Sequence, residues 1–590
     1  MKRRESFARA VSLVWRSSRS AFVGTVVLFA ISGVGMVALL LIGNTLLHEL
    51  AHGDSADITA RVWWLIGVAM AIAGILSFSG SAAAGLHKLL IERTHRYTNE
   101  VILRVTANAR LREFDAPEFH DRLQRATHGG MEGVMPIVMA LPQLLGALVG
   151  GIGIAAGLAL VNPWLVPITL LASVPIWLAG KGNSEEMYSF SFGSTPNDRA
   201  RFNIENIAKR RESAPEVRAF GIAPYLIDRW SQLYDERIDG VRVLVRTFIR
   251  RSAIGSAVGA AVLGAVLAVV LLFVRHGHMT LGSAATACVA VLLLANRSQQ
   301  IATNLAQTVE HGLYLEDFHV LRELAERLPT PRPVDIAPFR KLTVDEISFT
   351  YPSASTKALD RVSFDISAGE VIAVVGHNGS GKTTLAKLLC GLYEPDAGSV
   401  RWDGQPLSGL TADGDLTQVG VVFQDFGRYW FSAADNIGIG DVGRITDRAA
   451  IANAAAKAGA GEFLGRLSQG FDTPLGVEVD GGADLSVGQW QRVAIARVLF
   501  RGASFLLLDE PTASLDAEAE AALFETIQGL RANRTVVLIS HRFSTVRSAD
   551  RILVLHEGRL VEQGDHAHLM RAGGRYARMY RAQSSAYVDA

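Results

Sequence analysis

Cysteine is almost missing from this chain: there are 2 in 590 residues, Cys288 and Cys390. They lie far apart and outside any CxxC or zinc-ligand spacing, which excludes a disulfide framework and a cysteine-built metal site. Charge is also sparse. Only 19% of residues are Asp, Glu, Lys or Arg, below the roughly 25% of ordinary soluble domains. The formal net charge of +1 supplies no basic field, so no nucleic-acid partner is expected. Internal repeats at solenoid periods are lacking as well. What the chain has in quantity is apolar surface: 49% hydrophobic residues and a mean hydropathy of +0.23. At this length more than one domain is expected.

The apolar residues are concentrated before about residue 325, in long runs without charge. Ser20 to Leu47, Val62 to Leu86, Gly133 to Gly180, Ser252 to Val274 and Met279 to Asn296 are such runs. A membrane-spanning helix needs about 20 predominantly apolar residues. The third run is roughly twice that, and Asn162-Pro163 near its middle is turn chemistry, so it reads as a helical hairpin. Six spans follow, over about 21–46, 62–86, 134–160, 163–180, 252–274 and 279–297, within a membrane domain of residues 1–325. Lys and Arg crowd the N-terminus and the two long segments after the second and fourth spans, including Arg93, Arg96, Arg104, Arg110 and Arg112. The opposite loops offer Arg61, nothing, and Arg275. The positive-inside rule therefore puts the N-terminus, both long loops and everything after the sixth span in the cytoplasm. The long loops are helix-patterned and extend the spans into the cytosol. Phe114–Phe119 and Ala214–Arg218 interrupt them and are candidates for short transverse helices that touch a following cytoplasmic domain.

Pro329, Pro331 and Pro333 mark a stiff, non-helical linker over 326–340. From 341 to 583 short β-rich runs alternate with helical ones, the pattern of a mostly parallel sheet covered by helices. A polar tail, 584–590, ends the chain. Gly376-His377-Asn378-Gly379-Ser380-Gly381-Lys382-Thr383 fits GxxxxGK[ST], after the apolar strand Val371–Val375 and before a helical run that opens with Thr384. Glycines there let backbone N–H groups wrap a phosphate, Lys382 reaches the β- and γ-phosphates of ATP, and Thr383 offers a hydroxyl to Mg²⁺. Phe505–Leu508 is an apolar strand ending in Asp509 and Glu510. Two acids so placed are costly without a cation or strong hydrogen bonds, which suits Asp509 to the Mg²⁺ shell and Glu510 to polarising water.

Leu485-Ser486-Val487-Gly488-Gln489 precedes a further helical run. With this signature-like stretch the chain resembles the ABC transporters over nearly its whole length. The resemblance implies a multi-domain membrane protein: an all-α six-helix exporter-type membrane domain fused to an α/β P-loop NTPase domain. It also implies that Ser486, Gly488 and Gln489 meet the γ-phosphate bound to another protomer, although Val487 stands where glycine is usual. By the same resemblance Tyr351 stacks on adenine, and Gln424 senses Mg²⁺ and water. Asp516, in Ser514-Leu515-Asp516, belongs to the loop crossing the dimer interface, and His541 is the switch histidine on the γ-phosphate. Each ATP site needs a phosphate loop from one protomer and a signature from another, so a second copy of the chain, or a related half-transporter, is an expected partner. Fusion of six spans ahead of the ATPase resembles exporters in the plasma membrane, among lipid. Asp480-Gly481-Gly482-Ala483-Asp484, Val422–Tyr429 and Glu216–Gly221 resemble bacterial lantibiotic-export proteins, which implies a modified peptide as substrate. The alternative is a lipid or a small hydrophobic compound.

His48-Glu49-Leu50-Ala51-His52 matches the zinc-peptidase pattern HExxH, which places two histidines on one helix face beside a glutamate. The loop that follows is only about ten residues, too short for a catalytic domain. A third ligand would have to come from Asp54, Asp57, His276 or His278. This is the remote alternative function.

Overall fold

The computed structural model describes residues 2–52, 58–128, 134–161, 163–171, 193–276, 279–327, 332–334, 339–412, 414–511 and 534–588, with isolated positions at 174, 186, 189–190, 337, 525 and 529. Two compact units emerge: Met1–Thr106 with Asp121–Glu326, and Ala107–His120 with Arg327–Ala590.

The first unit is helical. Among the described residues, four helices are long and apolar enough to cross a membrane, over Arg19–Leu47, Ala60–Asn108, Val134–Leu160 and Ala223–Arg275. The span expected over 163–180 is described only at 163–171 and 174, and the one over 279–297 forms the first part of the helix Leu281–Arg327. Helix Ala223–Arg275 has 53 residues and so runs for about 80 Å, well beyond a hydrocarbon layer of about 30 Å. Its apolar C-terminal part presents Val266 and Val270 to Ile154, Leu158, Ala287, Val291 and Leu294 in one buried cluster. Hydroxyls inside these helices return to the preceding turn. Thr25, Thr94 and Thr169 each donate to the carbonyl four residues back, at 2.6–2.7 Å, which satisfies them without water.

Helix Arg19–His52 lies against Val134–Val161 through glycines. A Cβ built on Gly33 would stand 2.7 Å from Gly150 Cα, and one on Gly153 would stand 2.9 Å from Val37 Cγ2. Small residues let the two backbones approach closely, the usual packing of helices in lipid.

Past the apolar part of Leu281–Arg327, His319 is buried and His311 half-buried, and desolvation holds each imidazole down to about 4; for His319 the Arg322 guanidinium adds to it. A histidine buried neutral stabilises the fold above its unfolded value near 6.5 and loses that contribution as pH falls through the folded value. The first unit should therefore soften between pH 6.5 and about 4. In thermal unfolding scans across that range, His319→Phe should give a flatter acid limb than the wild type. An unchanged limb would assign the acid sensitivity elsewhere.

The second unit holds a six-stranded sheet in the order Arg559–Gly564, Arg551–His556, Val371–Val375, Thr535–Ile539, Phe505–Asp509 and Val419–Val422. Its pairs are parallel except at the Arg559–Gly564 edge. The central strands Val371–Val375, Phe505–Asp509 and Thr535–Ile539 are buried at every position, as strands covered on both faces must be. A separate four-stranded sheet built on Lys341–Phe349, Leu359–Ser367 and Ala397–Trp402 is antiparallel.

Residues 107–120 fold with this unit although the chain on both sides of them belongs to the first. The long helix from Ile58 stops at Asn108, and a single turn, Leu111–Phe114, follows. Leu111 packs on the core of the antiparallel sheet. Arg112 pairs with Asp396 at 2.9 Å and lies 5.8 Å from the Phe349 ring. The Tyr393 hydroxyl donates to the Asp115 carboxylate. Burial and that carboxylate push the Tyr393 phenol up, so it keeps its proton and remains a donor. The second interruption expected from sequence is a short helix, Ala214–Ala219, in the first unit.

Candidate active site

Strand Val371–Val375 delivers the chain into the loop 376–381, and helix Lys382–Leu389 begins directly after it. Gly381 caps that helix at φ +101°, and a Cβ there would lie 2.6 Å from Ala358 O, so only glycine makes this turn without strain. Lys382 is 7% exposed and its Nζ donates to the Gly376 and His377 carbonyls at 2.9 and 3.1 Å. Burial lowers its ammonium, while Glu510 and Asp509 oppose the shift. Ser380 Oγ is buried and has no hydrogen-bond partner among the described residues. His377, Asn378 and Gly379 form the exposed lip of the loop. A cation folded onto its own loop, an unpaired hydroxyl and a helix N-terminus together fit an anionic phosphate.

Thr383 Oγ1 donates to Asp509 Oδ2 at 3.0 Å. Burial raises the Asp509 carboxyl, with the Thr383 bond opposing it. Beyond Asp509 the backbone turns sharply: Glu510 has φ +52°, a conformation that costs a non-glycine residue on the order of 1–3 kcal/mol. Two hydrogen bonds hold it there. Its N–H donates to Ile539 O at 2.8 Å, and Gln491 Nε2 donates to its carbonyl at 3.2 Å. The turn aims the Glu510 carboxylate at His541, whose Nε2 stands 2.6 Å from Oε1. Burial, then the Lys382 ammonium, lowers the His541 imidazole.

The Tyr351 hydroxyl meets Thr384 Oγ1 at 3.1 Å, and its ring stands edge-on to Phe349 and Tyr393. Gln424 is exposed just past Val419–Val422. Ser486 caps helix Val487–Arg501 and forms a reciprocal capping box with Gln489. Val487 occupies its first turn with an exposed side chain, 45% accessible. Among the described residues, no hydrogen bond joins Ser486 or Gln489 to the phosphate loop. Asp516 lies outside the described residues.

Two further residues stand out that no sequence motif flags. Asn436, fully buried, donates from Nδ2 to the carbonyls of Tyr429, Phe431 and Ser432 at 2.8–3.2 Å. Arg497 donates to Asn436 O at 2.8 Å and to Gly427 O at 3.2 Å, and stacks 4.7 Å from the Tyr429 ring. Together they fix the backbone downstream of Gln424. Asn436→Leu should leave the Tyr429 carbonyl without its donor, since Phe431 O keeps the Leu475 N–H and Ser432 O keeps the backbone N–H of residue 436, and cost roughly 1–3 kcal/mol, read as a drop in the unfolding midpoint. Unchanged stability would remove Asn436 from this role.

At the other candidate centre, Glu49 pairs with Arg61 at 3.7 Å. Asp54, Asp57, His278 and the side chains of His48 and His52 lie outside the described residues. Among the described residues no three His, Cys, Asp or Glu side chains converge as a metal site would require.

A phosphate loop, a strand-end acid pair and a facing histidine on a largely parallel sheet define a P-loop ATPase, and residues 359–513 match the ABC transporter family model. The whole chain aligns with the subtilin transport ATP-binding protein of Bacillus subtilis, 26% identical over 98% of this chain and 94% of that protein. An ATP-dependent lipid A-core flippase of Chromobacterium violaceum is 37% identical over 53% of each chain, and that of Aliivibrio fischeri 41% identical over 41% of each. The chain thus spans about half or less of the flippases it matches. A bacterial Atm1-family ABC exporter with ATP bound superimposes with a TM-score of 0.77 and 25% identity, over 96% of this chain and 98% of that one. The chain is an exporter-type ABC half-transporter, a membrane protein whose nucleotide-binding ATPase domain drives transport.

Proposed function

We propose that two copies of the chain, or one copy and a related half-transporter, close over two ATP molecules and drive export of a modified peptide across the plasma membrane. The residues divide as a membrane domain to about 325, a linker over 326–340 and an ATPase domain over 341–583. The first domain contributes six spans, and the N-terminus and ATPase domain lie in the cytoplasm, as the distribution of Lys and Arg supports. Pairing rests on the inventory of each chain: one phosphate loop and one signature, Ser486-Val487-Gly488-Gln489.

Tyr351 stacks on adenine. Lys382 exchanges its loop carbonyls for the β- and γ-phosphates, while Ser380, Thr384 and the backbone of 376–381 fill out the cradle. Ser486, Gly488 and Gln489 of one chain close on the γ-phosphate of the other, and Asp516 crosses between them. Mg²⁺ suits the oxygen donors Thr383, Asp509 and Gln424, since Asp509 is a buried carboxylate whose side-chain hydrogen-bond partner among the described residues is the neutral Thr383 hydroxyl. When bound, the ion neutralises phosphate charge. Glu510 orients the attacking water and accepts its proton. A neutral His541, donating from Nε2, holds that carboxylate in place.

Alignment with the subtilin transporter over 98% of this chain is the single observation that carries the peptide reading. The flippase similarity, over about half the chain or less, supports the lipid alternative less well. ATP-dependent uptake of a modified peptide by inside-out vesicles is expected. Stimulated movement of labelled lipid with no peptide uptake would reverse the assignment.

A further inference from the structure

The first unit contains a cavity of about 520 Å³ between helices Arg19–His52, Ile58–Asn108, Val134–Val161 and Leu281–Arg327. Its volume falls within the roughly 300–1,000 Å³ of ligand sites. In apolar surroundings its wall is unusually polar: Gln143, Asn296, Gln299, Gln300 and Asn304 line it together with Arg297. Among the described residues no Asp or Glu lines the cavity.

Arg297 ends the run read as the sixth span. Its Nη1 donates to Gln300 Oε1 at 2.9 Å, and its Nη2 lies 3.6 Å from Met36 Sδ. Both partners are neutral. The guanidinium rests over the glycine floor of helix Val134–Val161, where a Cβ on Gly150 would stand 3.7 Å from its Nε. A permanent cation held among membrane helices with neutral partners is expensive, and such residues face a pathway rather than lipid.

We propose that this cavity is a cargo site in which Arg297 binds a carboxylate of the exported peptide; the proposal rests on the peptide-export reading. The flanking amides argue for a peptide over a phospholipid headgroup. Each carboxamide offers both donors and an acceptor, which matches a backbone carrying N–H and C=O groups, whereas an ionised phosphate only accepts.

The test uses the full chain in phosphatidylcholine nanodiscs and two rhodamine-labelled apolar decapeptides, identical except for a free C-terminal carboxylate or its amide. By fluorescence polarisation the acid should bind about tenfold tighter or more, the usual scale of a charge-assisted bond. In Arg297→Gln the two should bind within about twofold, and Arg297→Lys should keep most of the preference. The acid-to-amide ratio within one preparation is insensitive to partial misfolding. Equal binding by the wild type, no binding of either peptide, or an unchanged ratio in Arg297→Gln would overturn the proposal. So would displacement of both peptides equally by phosphatidylglycerol in an Arg297-dependent manner, which assigns the cavity to lipid phosphate. Uptake by inside-out vesicles separates the two levels. Equal, Arg297-independent uptake of both peptides removes the carboxylate site and leaves peptide export standing. An Arg297-dependent acid preference in binding without uptake upholds the site and removes peptide export.

Discussion

Glu510→Gln should lower the rate of Mg²⁺-ATP hydrolysis by about 10²–10⁴-fold, the range for removing a positioned general base, while leaving ATP binding within about twofold. The two effects separate because the carboxylate faces His541 at 2.6 Å and not the lysine that holds phosphate. Glutamine is isosteric, and the bonds that fix the unusual backbone here, from Gln491 and to Ile539 O, involve main-chain atoms that the substitution does not touch. The protein should therefore fold normally and accumulate with nucleotide bound. Lys382→Ala should instead lose binding and hydrolysis together. Phosphate release and equilibrium binding of a fluorescent ATP analogue, measured in nanodiscs, check both. Hydrolysis surviving in Glu510→Gln at a tenth or more of wild type would remove this residue as the base.

The second large effect is structural. Gly33→Val should prevent correct packing of the membrane unit. Any Cβ at Gly33 meets Gly150 Cα at 2.7 Å and its N at 2.9 Å, and backbone cannot rotate aside as a side-chain tip can. Overpacking a fitted site costs about 1–3 kcal/mol or more, and here the relief requires two long helices to separate. Expected results are aggregation in detergent on size-exclusion chromatography and an unfolding midpoint lower by about 10 °C or more. Gly67→Val and Gly74→Val, on helix Ile58–Asn108, are the controls, since a Cβ at either position meets nothing within 4 Å. Equal behaviour of all three variants would deny the seam its role.

Legibility in the sequence follows the range of the interactions. The phosphate loop, the strand-end acids and the Ser486 cap are local: strand, loop and helix N-terminus lie within about fifteen residues, and the residue types suffice. The apolar runs are equally plain because lipid imposes one length. The antiparallel sheet was harder to see. Along Lys341–Phe349 exposed and buried positions alternate only as far as Val344 and are followed by three consecutive buried residues, Ile347 to Phe349, the alternation breaking where register shifts occur near Ile347. Nothing in the order of residues announces that Glu510 adopts a left-handed backbone, since what holds it there are Gln491 and Ile539 O, brought in by helix Val487–Arg501 and a neighbouring strand. Asn436 and Arg497 escaped for the same reason: a buried asparagine bonded to three carbonyls looks, in sequence, like any loop asparagine.

The segment 107–120 has a consequence for how such a chain can be inherited. The ATPase fold is discontinuous in sequence: one of its pieces, carrying Leu111, Arg112 and Asp115, is encoded within the membrane half and seats on Phe349, Tyr393 and Asp396. Recombination at the proline-rich linker would exchange one partner of each contact and keep the other. A chimera joined there would bring a foreign turn to a surface shaped for Leu111, with Asp396 facing whatever replaced Arg112. Such genes should therefore be passed on whole, their two halves drifting together as a matched lock and key.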